Sequence, residues 1–397
     1  MPKRVMILGA GIFQMPLIEQ TKAMGLQTIV VSPLGSYPGI PSADIHLALD
    51  TTDSKQIVLA AKKYKINAIV TTGTDVSVPT IGAVADALGL VGPSRQTAEL
   101  VSHKTSFRTF LRKNQLNCPD FSICRTCTDA LAFCRGRAKK TVFKPDDSSG
   151  SRGVTILSEN PSPLEIEKAY QHANQFTRNK LICVEDFLSG REVGGDAFFL
   201  NGSLHFVVTT CKHMEGVLVQ GHSLPGDLNE KQMSMIKAEL SMVAQKLGYA
   251  NGPMNFDIMV DKNRVTLLEI GLRNGGNGIL NCIFHHCGID LTDWLLNLAL
   301  GSKIPDFIVK DTKPVSSYVF GSPCRGILKK TNSIAQLSAS VPEVIDLVLA
   351  KNPGDKVDVF SNNANLIGFM ILSCGFAQYP EVVDRIKKVF CLEVESE

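Results

Sequence analysis

The sequence lacks the features that mark a membrane protein or a nucleic-acid-binding protein. No apolar run reaches the roughly 18 residues needed to span a bilayer. The formal net charge of +3 over 397 residues is too small to suggest a basic stripe. The segment MPKRVMILGAG ends its short apolar run in glycines rather than in a cleavage site, so we expect a first strand and not a signal peptide. We therefore expect a cytoplasmic protein with no membrane and no nucleic-acid partner.

Several chemical motifs are also absent. No GxxxxGK[ST] occurs, which excludes a phosphate P-loop. The eleven cysteines include a CxxC at Cys124 and Cys127, but no second pair follows at zinc-finger spacing, so we expect reduced thiols. The GAG at 9–11 is followed by Gln14 where a dinucleotide fingerprint needs glycine, and the next strand reaches Ser32 without an acid. These absences disfavour a zinc site and a nicotinamide-linked oxidoreductase.

The pattern of predicted strands and helices changes along the chain and divides it into units. Its length is too great for one average core, so two or three packed units are expected. In the first hundred residues, apolar strands such as RVMILGAG and QTIVVSP alternate with amphipathic helices, which is typical of a doubly wound parallel sheet. From residue 141 paired strands, a long helix and a hairpin follow. We predict an α/β domain over 1–98, an α+β domain over 99–305 with a lid at about 141–188, and a strand-rich unit over 306–397 that completes the site.

One stretch, VFKPDDSSGSRGV at 142–154, combines a lysine at a strand end with a loop of small residues. Such a loop offers backbone N–H groups with no side chains in the way, which suits a polyphosphate. A plain hairpin turn needs the same residues, so the stretch alone does not decide between the two. Lys104, early in a helix, and Lys144, at the strand end, would each alone be read as solvated lysines.

Acidic residues follow at defined points of the strand pattern. Glu185 lies in LICVEDFL, and Glu192 begins the next strand. Asp257 and Glu269 lie on the two strands of one hairpin, so they can face each other across one side of a sheet. Two facing acids repel unless a cation lies between them, and Mg²⁺ favours one or two carboxylates plus phosphate oxygens. Arg273 follows four residues later and could bring a planar cation to the same phosphate.

Taken in this order, the lysines, the glycine loop, the acidic hinge and the acid pair resemble the ATP-grasp superfamily. The resemblance is to the branch of carbamoyl-phosphate synthetase large subunit, glycinamide ribonucleotide synthetase and the amino-acid ligases, and it spans nearly the whole chain. It implies a first α/β domain followed by an ATP-grasp fold. It also implies ATP as the nucleotide, with Mg²⁺ or alternatively Mn²⁺ as the metal.

The resemblance further implies roles for individual residues. Asp257 and Glu269 would bind the metal, and Arg273 with Lys144 would act in catalysis by stabilising the transferred phosphoryl group. Those implied to bind the nucleotide are Lys104, Lys144, Ser148, Ser149, Gly150, Ser151, Gly153, Glu185, Phe187, Leu188 and Glu192.

One residue departs from the pattern. The family often has Glu-x-Asn-x-Arg where this chain has Gly271 between Glu269 and Arg273, so Asn274, Asn277 or water would have to replace the missing ligand. The implied activity is an ATP-dependent ligase that activates a carboxylate as an acyl phosphate and joins it to an amine. Alternatives are a glycinamide ribonucleotide synthetase-like ligase and a non-catalytic ATP-binding module. The expected partners are small carboxylate and amine substrates, with a homodimer as the default assembly.

Overall fold

The computed structural model describes residues 2–148, 150, 152–216, 218–306 and 312–396. The strands are β1 (Arg4–Leu8), β2 (Gln27–Ser32), β3 (Ile45–Ala48), β4 (Ala68–Val70), β5 (Phe121–Cys124), β6 (Thr141–Pro145), β7 (Thr155–Leu157), β8 (Ile182–Asp186), β9 (Arg191–Leu200), β10 (Ser203–Glu215), β11 (Leu218–Leu224), β12 (Gly252–Val260), β13 (Val265–Gly271), β14 (Val315–Gly321), β15 (Gly326–Thr331), β16 (Val344–Leu349), β17 (Lys356–Val357), β18 (Leu366–Leu372) and β19 (Leu392–Ser396). The helices are α1 (Met15–Ala23), α2 (Gly39–Ser42), α3 (Ser54–Tyr64), α4 (Val78–Leu88), α5 (Arg95–Ser102), α6 (Lys104–Lys113), α7 (Cys127–Cys134), α8 (Pro163–Gln175), α9 (Glu230–Leu247), α10 (Ile279–Cys287), α11 (Leu291–Ala299), α12 (Ile334–Ser340) and α13 (Tyr379–Val389), with short 3-10 turns at Ile12–Gln14 and Asn363–Asn365.

The first unit is the parallel sheet that the sequence predicts. Its strand order is β3-β2-β1-β4, and every pairing in it is parallel. The strands β1, β2 and β4 are buried apolar runs, which is why their pattern is readable. The edge strand β3 was not predicted, because its short IHLA segment is only half-buried and carries no continuous apolar run.

The central element is an eight-stranded antiparallel sheet with the order β13-β12-β9-β10-β11-β14-β18-β16. Helix α9 covers one side of it, where Ile236, Leu240 and Val243 pack into one apolar cluster with Phe256 and Leu267. Three strands from the last ninety residues, β14, β16 and β18, extend this sheet. The C-terminal segment is therefore continuous with the central sheet, and only β17-β15-β19 forms a separate small sheet beside it.

A second antiparallel sheet, β5-β8-β6-β7, contains most of the segment 141–188 that the sequence predicts as a lid, and we use the name lid for this sheet and its helices. It includes β5 and α7, which lie before the predicted start at residue 141, and α8, which was not predicted. The buried thiols of Cys124 and Cys134 belong to its apolar core with Phe143.

One contact that joins the lid to the rest of the chain is a buried carboxylate. Asp146, which follows β6 directly, is 1% exposed. Its two oxygens accept hydrogen bonds from the backbone N–H of Thr105 (2.7 Å) and the side-chain amide of Asn179 (2.6 Å), and the His103 ring lies 2.9 Å away. The Asp146 carbonyl also accepts from the N–H of Lys104, so helix α6 is fixed to the strand that carries Lys144.

Within the described ranges, every helix is too short or too polar to cross a bilayer.

We expect Asp146→Ala to lower the free energy of unfolding by about 2–3 kcal/mol, because it leaves three hydrogen-bonding partners without their acceptor. Urea denaturation measures this change, and Glu159→Ala, an exposed acid in the same lid, is the control. A change no larger than that of the control would contradict the anchoring role.

Candidate active site

A cavity of about 660 Å³ lies between the lid, one face of the central sheet and the loops of the first unit. Among the residues predicted for the site, those that line it are Lys104, Lys144, Ser148, Gly150, Glu185, Phe187, Leu188, Glu192, Asp257, Glu269 and Arg273. Ser149 and Ser151 lie outside the described residues. Gly153 is not among the lining residues, and a Cβ built on it would lie 2.6 Å from Pro145 and 2.8 Å from Phe176; its assignment to the phosphate loop stays a prediction.

The acid pair stands face to face, as the hairpin pattern predicts. Asp257 on β12 is directly opposite Glu269 on β13. On the other side of β12, Asp257 is opposite Gly194 of β9, whose lack of a side chain leaves room for the carboxylate. The side chains of Asp257 and Glu269 are 33% and 38% exposed, so both reach the cavity.

Two lysines provide positive charge beside these acids. Lys212 on β10 lies 2.7 Å from Asp257 and 2.6 Å from Glu192, while Lys104 lies 3.7 Å from Glu269. Burial raises the pKa of the Asp257 carboxyl even though Lys212 opposes this effect. A further positive charge beside these acids would therefore stabilise their ionised form.

The two carboxylates fit a divalent metal by their chemistry. They are hard oxygen donors that converge on one cavity, with lysines nearby that suit phosphate oxygens. In the described part of the chain, no group of three or more His, Cys, Asp or Glu side chains forms a complete metal cage. This set matches a metal that is shared between protein and phosphate, as Mg²⁺ prefers.

Glu185 lines the cavity and forms ion pairs with two cations. Its carboxylate lies 2.7 Å from Arg108 of α6 and 2.6 Å from Lys144 of β6. Burial opposes ionisation, yet these two cations hold the pKa of Glu185 at about 2. Arg108 is 1% exposed and also donates to the Leu268 carbonyl of the central sheet. Glu185 thus fixes Lys144 and links the lid to the sheet.

The segment after β8 forms an apolar slot. Apolar side chains from the lid and from the central sheet face each other across the cavity: Val142, Ile156, Phe187, Leu188, Met259 and Leu268. The Phe187 N–H donates to the Lys140 carbonyl, so it is already used within the lid. A flat base bound in this slot would therefore have to form its hydrogen bonds with other polar groups of the segment.

Arg273 is fixed by a residue of the first unit. Its guanidinium donates to both carboxylate oxygens of Asp75, at 2.8 and 2.6 Å. Asn274 is buried away from the cavity, and Asn277 accepts from the Asn363 side chain at 2.9 Å. Asn274 therefore does not take the place that Gly271 leaves open, whereas Asn277 lines the cavity and its role as a replacement ligand stays a prediction.

The glycine turn after β1 is filled by the chain itself. The side-chain oxygen of Gln14 accepts from the Gly11 N–H at 2.9 Å, and its amide nitrogen donates to the Thr72 carbonyl. A Cβ on Gly9 would lie 2.8 Å from that same oxygen. This turn is where a parallel α/β unit binds a pyrophosphate, and here a neutral amide occupies it.

The loop that follows β13 is hydrogen-bonded to a buried acid. Asp196 accepts from the Gly275 N–H at 2.9 Å and is fully buried. Burial raises the pKa of its carboxyl to about 6, although Arg273 and the Gly275 hydrogen bond oppose the shift.

His213, the neighbour of Lys212 on β10, does not line the cavity. Its ring stacks on Tyr379 at 3.4 Å between centroids. Alternation along β10 explains the difference, since neighbouring residues face opposite sides.

Comparisons with known proteins agree with this geometry. Residues 138–281 match the ATP-grasp domain family. The L-arginine-specific L-amino acid ligase of Bacillus subtilis is 22% identical over 363 residues, which cover 89% of this chain and 83% of that protein. Among solved structures, an L-amino acid ligase from Bacillus licheniformis matches with a TM-score of 0.80 at 20% identity over 99% of both chains. A phosphoribosylglycinamide synthetase from Anaerococcus prevotii matches with a TM-score of 0.78 at 20% identity over 100% of both. The predicted fold is confirmed.

Asp75 and Arg108 were missed by the sequence reasoning, although each carried a signal. Arg108 lies four residues after Lys104 on one helix, hence on the same face. Asp75 follows a parallel strand, and ligands of such sheets bind beyond the carboxyl ends of the strands.

We expect Asp196→Asn to change the pH dependence of stability. A carboxyl with a folded-state pKa of about 6 and an unfolded value of about 3.9 binds its proton more tightly when folded, so this group makes unfolding easier as pH rises from about 4 to 6. The variant should therefore gain stability over the wild type at pH 7.5, on the order of 2 kcal/mol, relative to the difference at pH 4.5. Urea denaturation at both pH values measures this. An equal difference at the two values would contradict the assignment.

Proposed function

Because this chain carries an ATP-grasp domain, we propose that it is an ATP-dependent ligase that joins a carboxylate to an amine. The carboxylate is activated as an acyl phosphate, and the products are an amide or peptide bond, ADP and phosphate. The observation that carries this proposal is the facing pair Asp257 and Glu269, in one cavity with Lys104, Lys144 and Arg273.

The nucleotide would lie between the lid and the central sheet. Its base would lie in the apolar slot beside Phe187 and Leu188, and Glu192, whose carboxylate now pairs with Lys212, would accept from the ribose hydroxyls. Lys144 and Lys104 would bind the phosphates, and the Lys104 ammonium already donates to the Ser148 carbonyl at 2.6 Å, so it also fixes the loop. Ser148 and Gly150 would cover the triphosphate.

Asp257 and Glu269 would hold Mg²⁺, with Mn²⁺ as an alternative. When bound, the metal would neutralise charge on the phosphate oxygens. The chain's own residues then align the reactants: Lys144 and Arg273 offset the negative charge of the phosphoryl group in transfer, and the lid excludes water that would hydrolyse an acyl phosphate.

Two steps account for the atoms. A substrate carboxylate oxygen bonds to the γ-phosphorus as the bond to ADP breaks. The nitrogen of a neutral amine then bonds to the acyl carbon as the bond from that carbon to the phosphate oxygen breaks, and the phosphate leaves with that oxygen while the amine proton passes to it or to solvent. No protein nucleophile is needed for either step, so positioning and charge are the protein's contribution.

The first-unit end of the cavity favours amino acids over ribose phosphates as substrates. That end is lined by Phe13, Gln14, Gly73, Thr74 and Asp75, and its charged group is an acid. The nearby glycine turn, the natural place for a phosphate, is filled by the Gln14 side chain. A phosphate on the acceptor substrate would lie beside the Asp75 carboxylate, and the cation at this end, Arg273, is already held by both oxygens of that carboxylate. A homodimer and a cytoplasmic location stay predictions.

The direct test of the proposed function is ADP release from MgATP with pairs of the twenty L-amino acids, compared with glycine plus 5-phosphoribosylamine. We expect release with at least one amino-acid pair to exceed release with the ribose phosphate by about 10-fold or more, since burying an unpaired phosphate charge is costly. Faster turnover with the ribose phosphate would contradict the substrate assignment. ADP release that never depends on an added carboxylate and amine would contradict ligase activity and favour a non-catalytic ATP-binding module.

We expect Glu269→Gln to lower ADP release by about 100-fold or more while leaving the thermal midpoint nearly unchanged, because the substitution keeps the shape but removes a charged metal ligand. Glu381→Gln, which changes an exposed acid on helix α13, is the matched control and should retain wild-type turnover. Near-normal ADP production by Glu269→Gln would remove this residue from the metal role.

A further inference from the structure

Position 271 and Asp75 compete for the same space. Gly271 lies two residues after Glu269 on β13, so a side chain at 271 would point to the same face of the sheet as Glu269. A Cβ built on Gly271 would lie 2.3 Å from the Asp75 carboxylate oxygen and 3.2 Å from Nε of Arg273. Contacts under 3.0 Å are essentially never seen for a real Cβ. The carboxylate of Asp75 therefore occupies the volume that a residue-271 side chain would fill.

Asp75 also determines where the Arg273 guanidinium lies. The two-point ion pair fixes the plane of the guanidinium as well as its position, which a single contact would not do. Both partners are largely buried, with 12% of the Arg273 side chain and 21% of the Asp75 side chain exposed. Such a pair is screened little by solvent, so it resists rearrangement.

The loop that carries Asp75 is itself fixed to the loop that carries Arg273. The Gly73 N–H donates to the Asn274 carbonyl at 2.9 Å, and Thr72 and Asn274 form a parallel bridge. The Arg273 guanidinium donates to the same Asn274 carbonyl at 3.2 Å. The segment after β4 is thus joined to the end of β13 by backbone and side-chain contacts together.

We propose that Asp75 is a positioning residue of the active site, which takes from the first unit the place of the side chain that Gly271 lacks and orients Arg273 beside Glu269. This inference rests on the proposed function, because the value of orienting Arg273 lies in phosphoryl transfer. If so, the first unit contributes a residue that supports the active site. The contact with Asp75 also explains why residue 271 is a glycine.

The test is a double-mutant cycle at the two positions, with the variants Asp75→Ala, Gly271→Asn and the combination of both. Turnover is ADP release from MgATP with a pool of the twenty L-amino acids, and thermal unfolding is followed in parallel. Either single variant should lower kcat by about 100-fold with little change in the KM for ATP, since a misplaced guanidinium costs transition-state stabilisation rather than binding. In the double variant, the introduced asparagine side chain fits the space that the Asp75 carboxylate vacates, and kcat should recover at least about 10-fold over either single variant.

Gln20→Ala is the matched control, because it removes another hydrogen bond between the first unit and the rest of the chain, from Gln20 to Asp293, outside the cavity lining. It should keep the wild-type kcat. Multiplicative losses in the double variant, or a wild-type kcat for Asp75→Ala, would overturn the proposal.

The unfolding data separate this inference from the function on which it rests. Gly271→Asn should lower Tm by about 3 °C in the wild-type background but not when Asp75 is already replaced by alanine, because the clash then disappears. If the wild type releases no substrate-dependent ADP, the proposed function fails. The Tm measurements would then still test whether Asp75 and a side chain at position 271 compete for the same volume. Equal Tm losses from Gly271→Asn in the two backgrounds would refute that competition.

Discussion

The site depends on two carboxylates that the central sheet places opposite each other. Asp257 and Glu269 are neighbours by strand register, not by chance of side-chain conformation, so the hairpin itself fixes their separation. Two such acids in a half-buried cavity require positive charge nearby. Lys212 and Lys104 provide it in the protein alone, and a divalent metal that also contacts the phosphates would provide it when the nucleotide is bound.

Around this pair, each structural unit supplies one part of the charge pattern. The lid contributes Lys144, which Glu185 holds in place, and helix α6 contributes Lys104. The first unit contributes Asp75, which pairs with Arg273. Three regions of the chain thus meet at one cavity, and each is connected to the central sheet by buried polar contacts. This arrangement suits chemistry in which the protein positions reactants rather than reacting with them.

Much of the fold was readable from the sequence, because its elements have regular patterns. The buried strands of the first unit and the hairpin with Asp257 and Glu269 follow simple periodicities; the structure has the parallel pairing predicted for the first unit and places Asp257 opposite Glu269. The half-buried strand β3 lacks such a pattern and was missed, as was α7. Helix α8 was overlooked although Ile166, Ala169, Tyr170 and Ala173 recur at helical spacing after a capping box. The Asp75–Arg273 pair joins residues 198 positions apart, and no local pattern encodes a contact at that distance. The roles of Lys104, Glu192 and the other predicted ligands stay predictions.

The most direct measurement is a crystal structure with Mg²⁺ and a non-hydrolysable ATP analogue. The account predicts that the metal contacts Asp257 and Glu269 and that the triphosphate lies against Lys104 and Lys144 beneath the lid. A triphosphate bound elsewhere, or a metal that contacts neither acid, would contradict it.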